Sequence, residues 1–312
     1  MRRLNHWIMT LPTPYTLPIY VCGCTASGKS ALALELAQRL GGEIISVDSM
    51  QVYQGLDIGT AKPSKAEQAL IPHHLIDVVD LDEPFDAARF VTLAEAAVQD
   101  IRQRGKVPIF CGGTGFYFQA WQGGLSTTPK APDALRAELE ATPLAALLEE
   151  LQAKDPQTYE RVDRSNPRRV IRALEIIRMT GQPVAPAPAP IPCEKATLVV
   201  GMEWAADSLR ARMDQRVDLM FQQGLVAETQ ALLERGLEHN RTAMQAIGYR
   251  QVVENLRGER DLKETIALVK LKTWQFARRQ RTWFRNQLQV EWLPASDSSS
   301  VTAWATAVQA KL

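Results

Sequence analysis

Long apolar runs are missing from this sequence of 312 residues, since no stretch of about 18 consecutive apolar residues occurs in it. A membrane-spanning helix is therefore excluded, and the apolar stretch His6–Met9 is too short for the core of a signal peptide. An excess of one charge is also missing, because the formal net charge is +1. That balance leaves nucleic-acid binding open, since acidic helices can offset a basic surface.

Cysteine is scarce, and no two cysteines form a CxxC pair. The four cysteines are Cys22, Cys24, Cys111 and Cys193. Three of them fall in apolar, strand-like stretches, so we expect reduced thiols in a cytoplasmic protein and no disulfide framework. His73 and His74 are adjacent and have no partner at ligand spacing, which favours packing or a hydrogen bond over a zinc site.

What the sequence does contain is an alternation of strand-like and helical segments. Strands are predicted at residues 18–22, 43–47, 107–111 and 196–202. Helices are predicted at residues 30–40 and 90–104, and again from residue 208 to the C-terminus. Such alternation indicates a parallel sheet flanked by helices, which is an α/β fold.

The pattern changes between the third and the fourth predicted strand. From about residue 132 to residue 180 every segment looks helical, and a proline-rich stretch at 183–192 follows, which should be extended and semi-rigid. The start of the chain looks like a loose extension in which Met9 is an alternative first residue. The predicted domains are an N-terminal extension (1–16), a core (17–124 and 195–312) and a helical insertion domain (125–194).

Residues 23–30 read GCTASGKS and fit the pattern G-x-x-x-x-G-K-[ST] at every position. They lie between a predicted strand and a predicted helix, which is the context of a phosphate-binding loop. Backbone N–H groups, the Lys29 charge and the helix dipole would face a phosphate, and the Ser30 hydroxyl can bind Mg²⁺. The sequence therefore predicts a P-loop NTPase-like parallel-sheet core. The candidate phosphate ligands are Gly23, Thr25, Ala26, Ser27, Gly28, Lys29 and Ser30.

One acidic residue follows a predicted strand near this loop. A P-loop ATPase or kinase usually holds its metal with a carboxylate at the end of a neighbouring strand, but the third strand runs into Gly112-Gly113-Thr114. Asp48, at the end of the second strand, is close enough to the phosphates to act on a nucleophile. The spacing fits a metal ligand equally well, so the residues alone leave both roles open.

A basic segment lies near the C-terminus. Between Lys270 and Arg285 there are six basic residues, no acidic residue and four aromatic residues. Arginine planes and aromatic rings can stack on unpaired bases while the charges follow phosphates. A helix with one solvated face and one face in the core gives the same pattern, and this explanation applies more often than RNA binding. The predicted insertion holds a second basic set, and two basic surfaces beside a phosphate pocket suit an RNA stem-loop. This second set is Arg136, Arg161, Arg164, Arg168, Arg169 and Arg172.

Seven segments together resemble the tRNA dimethylallyltransferase family, the isopentenyltransferases that modify the adenosine immediately 3′ of the anticodon. They are GCTASGKS (23–30), ISVDSMQVYQGLDIGTAKP (45–63), PHHLID (72–77), CGGTGFY (111–117), NPRRVIRALEI (166–176), AIGYRQ (246–251) and RRQRTWFR (278–285). Cys24 is a departure, since the family usually has proline there. The C-terminal zinc finger of some family members is not matched, because no cysteine follows Cys193.

The resemblance implies a reaction that hydrolyses no nucleotide. The P-loop would hold the diphosphate of dimethylallyl diphosphate, with Mg²⁺ as cofactor, and the exocyclic amine of the adenosine would displace that diphosphate. Asp48 then looks like the general base, and Thr114 like a neighbour that orients the reacting groups. Arg216 would add a cation to the diphosphate site, with Arg212 as the less favoured candidate.

The resemblance also implies a tRNA anticodon stem-loop as partner, bound by a protein that we expect to be a monomer. The target base must leave its loop to reach a buried diphosphate, so base flipping is expected. The insertion domain would clamp the anticodon stem, with a rigid structural lobe as the alternative. The implied tRNA-contacting residues are Asp48, Ser49, Met50, Gln51, Arg136, Arg168, Arg169, Val170, Ile171, Arg172, Gln245, Ala246, Ile247, Gly248, Tyr249, Arg250, Arg278, Arg279, Arg281 and Arg285.

Two other functions are alternatives at this point. One is a P-loop kinase for a nucleotide or small metabolite, against which stand the third strand without a carboxylate and the basic C-terminal segment. The other is an RNA-binding protein in which the P-loop serves only as a switch. Turnover of ATP without RNA would favour the kinase.

Overall fold

The computed structural model describes residues 18–123, 131–185, 196, 198–296 and 300–312. The predicted extension at 1–16 and most of the proline-rich stretch lie outside these residues. The chain divides into two compact units, the first made of residues 1–124 and 190–312 and the second of residues 125–189. Both domain boundaries drawn from the sequence, after residues 124 and 194, fall in stretches outside the described part.

Among the described residues, six strands form one sheet in the first unit, and all neighbouring strands in it are parallel. The strands are β1 (Ile19–Cys22), β2 (Gly42–Val47), β3 (His73–His74), β4 (Val107–Gly112), β5 (Leu198–Trp204) and β6 (Glu291–Ala295). Their order across the sheet is β3-β2-β4-β1-β5-β6. The predicted α/β fold with a parallel sheet is confirmed, and the four predicted strands are β1, β2, β4 and β5.

The two outer strands, β3 and β6, are absent from the sequence-based prediction. The expectation that only helices follow residue 208 is wrong at β6, which pairs with β5. β3 has two residues, too few for a recognisable apolar run. β6 contains Pro294, which argues against a strand in the sequence but is tolerated at the edge of a sheet.

The helices of the described residues flank this sheet in the first unit and make up the second unit. In chain order they are α1 (Lys29–Leu40), α2 (Lys65–Leu70), α3 (Ala87–Gln103), α4 (Gly115–Gly123), α5 (Asp133–Ala141), α6 (Leu144–Lys154), α7 (Pro156–Arg161), α8 (Pro167–Thr180), α9 (Ala206–Gln222), α10 (Leu225–Glu234), α11 (Tyr249–Leu256), α12 (Leu262–Gln287) and α13 (Ser300–Gln309). None of these helices is long and apolar enough to cross a membrane.

Alternate residues of the central strands pack into two cores, one on each face of the sheet. Tyr20 and Phe110 belong to one core, and Val21 and Ile109 belong to the other. Strands that are covered on both faces are continuous apolar runs in the sequence. Because the strands are parallel, their carboxyl ends share one edge of the sheet, where ligands of such folds bind.

The second unit consists of α5 to α8, which confirms the predicted helical character of residues 132–180. Its core is formed by apolar side chains that these helices turn toward each other, including Leu139, Leu151 and Leu174. Val170 and Ile171, which the family resemblance groups with the RNA-contacting residues, also belong to this core.

Candidate active site

A cavity of about 430 Å³ lies in the first unit at the carboxyl edge of the sheet. Its walls come from the P-loop, the segments that follow β2 and β4, and the helices α9 and α12. Because β4 lies between β1 and β2, the loops that carry Lys29, Thr114 and Asp48 are neighbours. All three residues line the cavity.

Lys29 and Arg216 are two half-buried cations in the cavity wall. The Nζ atom of Lys29 donates a hydrogen bond to the carbonyl oxygen of Cys24 at 3.1 Å. Burial lowers the pKa of Lys29, and Asp48 is among the groups that oppose this shift. Burial likewise lowers the pKa of Arg216, and Asp48 opposes this shift. The Nε atom of Arg216 is buried and has no hydrogen-bond partner in the part of the chain that the structure describes. Neither cation forms an ion pair with an acid in the described part of the chain.

Arg212 and Arg216 lie one turn apart on α9 but differ in their surroundings. The Nε atom of Arg212 donates to the carbonyl oxygen of Ala26 at 3.1 Å, and its guanidinium lies 4.3 Å from the ring centroid of Trp204. Arg216 lines the cavity. These contacts give Arg212 a role in holding the P-loop and favour Arg216 as a ligand for an anion.

Asp48 follows β2 and is held by a turn of its own backbone. Its Oδ1 atom accepts hydrogen bonds from the N–H groups of Met50 at 2.8 Å and Gln51 at 3.3 Å, which is an Asx turn. Within the described residues its Oδ2 atom accepts no hydrogen bond. One carboxylate oxygen is thus held in place while the other remains available to a proton donor in the cavity.

Thr114 connects the loop after β4 to the loop after β2. Its Oγ1 atom accepts a hydrogen bond from the N–H group of Ser49 at 3.2 Å, and its own N–H group donates to the carbonyl oxygen of Val47 at 3.1 Å. A hydroxyl that accepts in this way still has its hydrogen to donate. Thr114 therefore fixes the loop that carries Asp48 and keeps a donor for a bound molecule.

Residues 57–63 form a further loop that contributes to the cavity wall, and the helices near the C-terminus hold it. The carboxylate of Glu228 accepts a hydrogen bond from the N–H group of Ile58 at 2.9 Å. The hydroxyl of Tyr249 accepts one from the N–H group of Gly59 at 3.0 Å and donates one to Glu228 at 2.5 Å. A Cβ atom at Gly59 would lie 2.4 Å from the Tyr249 ring, so no larger residue fits there. Burial raises the pKa of Tyr249, which keeps this hydroxyl protonated.

The two adjacent histidines make the structural contacts that the sequence predicts. The Nδ1 atom of His73 lies 2.7 Å from the carbonyl oxygen of Ile71, and the Nε2 atom of His74 lies 2.7 Å from a carboxylate oxygen of Glu43. His73 also lines the cavity, a position that the sequence does not reveal.

Gln280 is a second cavity residue that the sequence analysis leaves unassigned. It follows Val269, Thr273 and Phe276 at helical spacing on α12, and all four residues line the cavity. A polar residue on an otherwise mainly apolar helix face is the signal that could have identified it.

The residues implied as tRNA contacts occupy three kinds of position. The cavity wall holds Asp48, Ser49, Met50, Gln51, Gln245, Ala246, Ile247 and Arg279. Other members are exposed or half-buried, namely Arg136, Arg168, Arg169, Arg172, Arg250, Arg278, Arg281 and Arg285. The remaining members, Val170, Ile171, Gly248 and Tyr249, are buried. The buried side chains serve packing, so the first two groups are the ones available to a nucleic acid.

The arginines of the basic segments differ in whether acids neutralise them. On α12, Arg285 is paired with Glu203, whereas Arg278 and Arg279 have no acid partner among the described residues. In the second unit Arg172 lies 3.0 Å from the buried carboxylate of Glu175, and Arg136 lies 3.0 Å from Glu140 and 3.8 Å from Glu175. Arg278 and Arg279 therefore retain positive charge at the surface of α12.

Comparison with known proteins gives consistent matches over most of the chain. A family model described as IPP transferase matches residues 51–287. The protein named tRNA dimethylallyltransferase 1 of Trichlorobacter lovleyi is 44% identical over 289 residues, which cover 90% of this chain and 95% of that protein. The tRNA dimethylallyltransferase of a Nocardioides species is 42% identical over 307 residues, covering 96% of this chain and 99% of that protein.

Solved structures agree with these matches. The tRNA isopentenylpyrophosphate transferase of Bacillus halodurans is similar with a TM-score of 0.69 and 36% identity, covering 95% of this chain and 97% of that chain. A eukaryotic dimethylallyltransferase described as acting on tRNA is similar with a TM-score of 0.73 and 29% identity, covering 93% of this chain and 77% of that one. The likeness thus includes the fold as well as the sequence.

Proposed function

This chain belongs to the IPP transferase family, and from that premise we propose the reaction it performs. It transfers the dimethylallyl group of dimethylallyl diphosphate to the exocyclic N6 amine of the adenosine immediately 3′ of the anticodon in tRNA, and diphosphate is released. The protein is thus a transferase, as the names of its relatives state for them. The kinase and the RNA-binding switch have no counterpart among the relatives described above.

The charge arrangement of the cavity is the observation that carries this proposal. Lys29 and Arg216 are half-buried, lose part of their hydration in the cavity wall and lack an acid partner in the described residues, and cations so placed call for an anion. A diphosphate supplies that anion. Asp48 interacts electrostatically with both cations and offers a free carboxylate oxygen. An anion site beside a base is what the displacement of diphosphate by an amine requires.

In the proposed reaction each of these cavity residues has a defined role. The N6 lone pair attacks C1 of the dimethylallyl group, the C1–O bond breaks, and diphosphate leaves with the bonding electrons. The proton lost from N6 passes to Oδ2 of Asp48, whose Oδ1 atom stays in its turn. Lys29 and Arg216 stabilise the charge that grows on the departing diphosphate, and the Thr114 hydroxyl orients the reacting groups.

Mg²⁺ is the cofactor of this proposal, with Ser30 as its protein ligand. The Ser30 side chain is exposed at the start of α1 and borders the cavity beside Lys29, and a hydroxyl oxygen is a ligand type that Mg²⁺ accepts. No group of three or more His, Cys, Asp or Glu side chains among the described residues could hold a metal. That fits a cation bound mainly by diphosphate oxygens and water. When bound, the ion neutralises part of the diphosphate charge.

The proposed RNA partner is the anticodon stem-loop of tRNA. Arg278 and Arg279 offer positive charge on α12, and Arg168 and Arg169 do so in the first turn of α8, where the helix dipole also favours an anion. The reacting groups lie inside the cavity of the first unit, so the target adenosine must leave its loop to reach them. The second unit would act as the clamp on the stem.

We propose that the protein works as a monomer in the cytoplasm. Among the described residues, Cys22, Cys24 and Cys111 are buried and form no disulfide, which suits a reducing compartment. Size-exclusion chromatography with light scattering would show a single-chain mass for a monomer, and a mass twice as large would contradict that state.

The transfer of label tests the proposed reaction. The protein is incubated with dimethylallyl diphosphate labelled in its dimethylallyl group, Mg²⁺ and a tRNA transcript with adenosine immediately 3′ of the anticodon. Label should enter the RNA, and a matched transcript with guanosine at that position should stay unlabelled. Consumption of ATP without labelling of the RNA would instead identify a kinase.

Replacing the two arginines of α9 by methionine, one at a time, should separate their roles. Arg216→Met is expected to raise the KM for dimethylallyl diphosphate about 10- to 100-fold, because hydrogen bonds to a charged group are lost. Arg212→Met should lower the melting temperature, since it loses its contacts with Ala26 and Trp204, and should change the KM less. Steady-state kinetics and thermal unfolding of both variants check this, and equal KM values would contradict it.

A further inference from the structure

The side-chain amide of Gln280 lies between two loops of the cavity. Its Oε1 atom accepts a hydrogen bond from the N–H group of Thr25 in the P-loop at 3.0 Å. Its Nε2 atom donates to the carbonyl oxygen of Gly113, directly before Thr114, at 2.9 Å. The residue is 7% exposed, so water cannot easily replace either bond. An amide can satisfy both partners at once, because it both accepts and donates.

The backbone around this amide is shaped to receive it. A Cβ atom at Gly113 would lie 2.3 Å from the Nε2 atom of Gln280 and 3.3 Å from the carbonyl oxygen of Gly23. A side chain at that position would therefore push the amide away from its two partners. The close approach links three segments that are far apart in the sequence.

We propose that Gln280 is a positioning residue, which holds the diphosphate loop and the Thr114 loop in the arrangement that transfer requires. This inference rests on the proposed function. One bond of the amide fixes Thr25 in the loop that receives the diphosphate. The other fixes the residue before Thr114, which in turn holds the loop of Asp48. The leaving group and the base are thus kept at a constant separation by one side chain.

The hydrogen bond to Thr25 also determines which donors of the P-loop remain to bind the diphosphate. The Thr25 N–H group is occupied by Gln280, so the amides further along the P-loop and the Lys29 ammonium are the donors left to bind it. Thr25 borders the cavity, and its hydroxyl is the part of this residue that can still contribute. Gln280 thereby sets the donor pattern of the loop without touching the substrate.

Kinetic constants of Gln280→Leu test the proposal, with Gln275→Leu as a matched control. Leucine has nearly the same size and removes both hydrogen bonds, and Gln275 lies on the same helix but does not line the cavity. We expect Gln280→Leu to lower kcat/KM for dimethylallyl diphosphate about 10- to 100-fold, as small misplacements of reacting groups do. The KM for tRNA should change little, and Gln275→Leu should resemble the wild type.

Gln280→Glu adds a pH-dependent readout of the two hydrogen bonds. A protonated carboxyl group accepts and donates as an amide does, whereas a carboxylate cannot donate to the Gly113 carbonyl oxygen. Burial raises the pKa of such a carboxyl group, so the variant should become protonated as the pH falls. As the pH falls from about 8 to about 5.5, the affinity of this variant for inorganic pyrophosphate with Mg²⁺, relative to that of the wild type, should therefore rise. Gln280→Leu should show no such recovery.

The outcomes distinguish this inference from the proposed function. If both Gln280 variants lose only thermal stability and keep wild-type kinetics and pyrophosphate affinity, the positioning role is wrong. If the wild-type protein labels no tRNA but its pyrophosphate affinity depends on Gln280 as described, the proposed function is wrong and the inference about the loop holds.

Discussion

Asp48→Asn will lower kcat for dimethylallyl transfer by about 10²–10⁴-fold, the usual contribution of a general base. Asparagine can keep the turn, because its Oδ1 atom can still accept from the N–H groups of Met50 and Gln51. Its amide nitrogen cannot take the proton from the adenosine amine. The loss should therefore appear in turnover, with the melting temperature and the KM for tRNA close to the wild type.

Two controls sharpen this result. Asp48→Ala loses the turn as well as the base, so it should also lose stability, which separates the structural from the chemical contribution of the residue. Raising the Mg²⁺ concentration should not restore the asparagine variant. Restored turnover would identify Asp48 as a metal ligand, and near wild-type turnover of Asp48→Asn at the Mg²⁺ concentration of the standard assay would show that Asp48 is not the base.

Lys29→Met should lower kcat/KM for dimethylallyl diphosphate by about 10²–10³-fold, as the loss of one preorganised group that stabilises a leaving anion does. Methionine keeps the apolar stem and removes the charge. Lys106→Met, at an exposed lysine just before β4, is the matched control and should leave the kinetics unchanged. An equal loss in both variants would contradict a specific role for Lys29.

The pH dependence of donor binding gives a second measurement of the same residue. Burial lowers the pKa of Lys29 from that of an ordinary lysine, so the free enzyme loses this proton at a lower pH. A neutral amine attracts diphosphate less, and the KM for the donor should therefore rise as the pH increases on the alkaline side. Lys29→Met has no proton to lose, so its KM should lack that rise. A wild-type KM that stays constant there would contradict the assignment.

The parts of the site that the sequence predicts are those with local signals. The P-loop is one contiguous motif, and β1, β2 and β4 are buried along their whole length. β1 and β4 are mainly apolar runs, β2 is buried although it contains Glu43 and Ser46, and all three strands end where the site begins. Asp48 could be predicted as a candidate because it directly follows β2.

The parts that escape prediction depend on contacts between distant residues. Tyr249 lies in a segment that resembles an RNA contact, yet it braces Gly59 from 190 positions away. Gln280 stands among arginines in the sequence, and the packing of α12 against α4, α9 and α11 turns its side chain into the cavity. The edge strand β6 likewise depends on tertiary packing against β5, which no periodicity in the sequence reports.

The bond between Thr25 and Gln280 joins residues 255 positions apart, which has a consequence for biosynthesis. The ribosome makes the P-loop early, but the helix that braces it emerges only when nearly the whole chain has been translated. A nascent chain that stops after β5 would therefore have an incomplete diphosphate pocket. Contacts of such high sequence separation slow folding, so completion of the pocket should be a late event in the maturation of this protein.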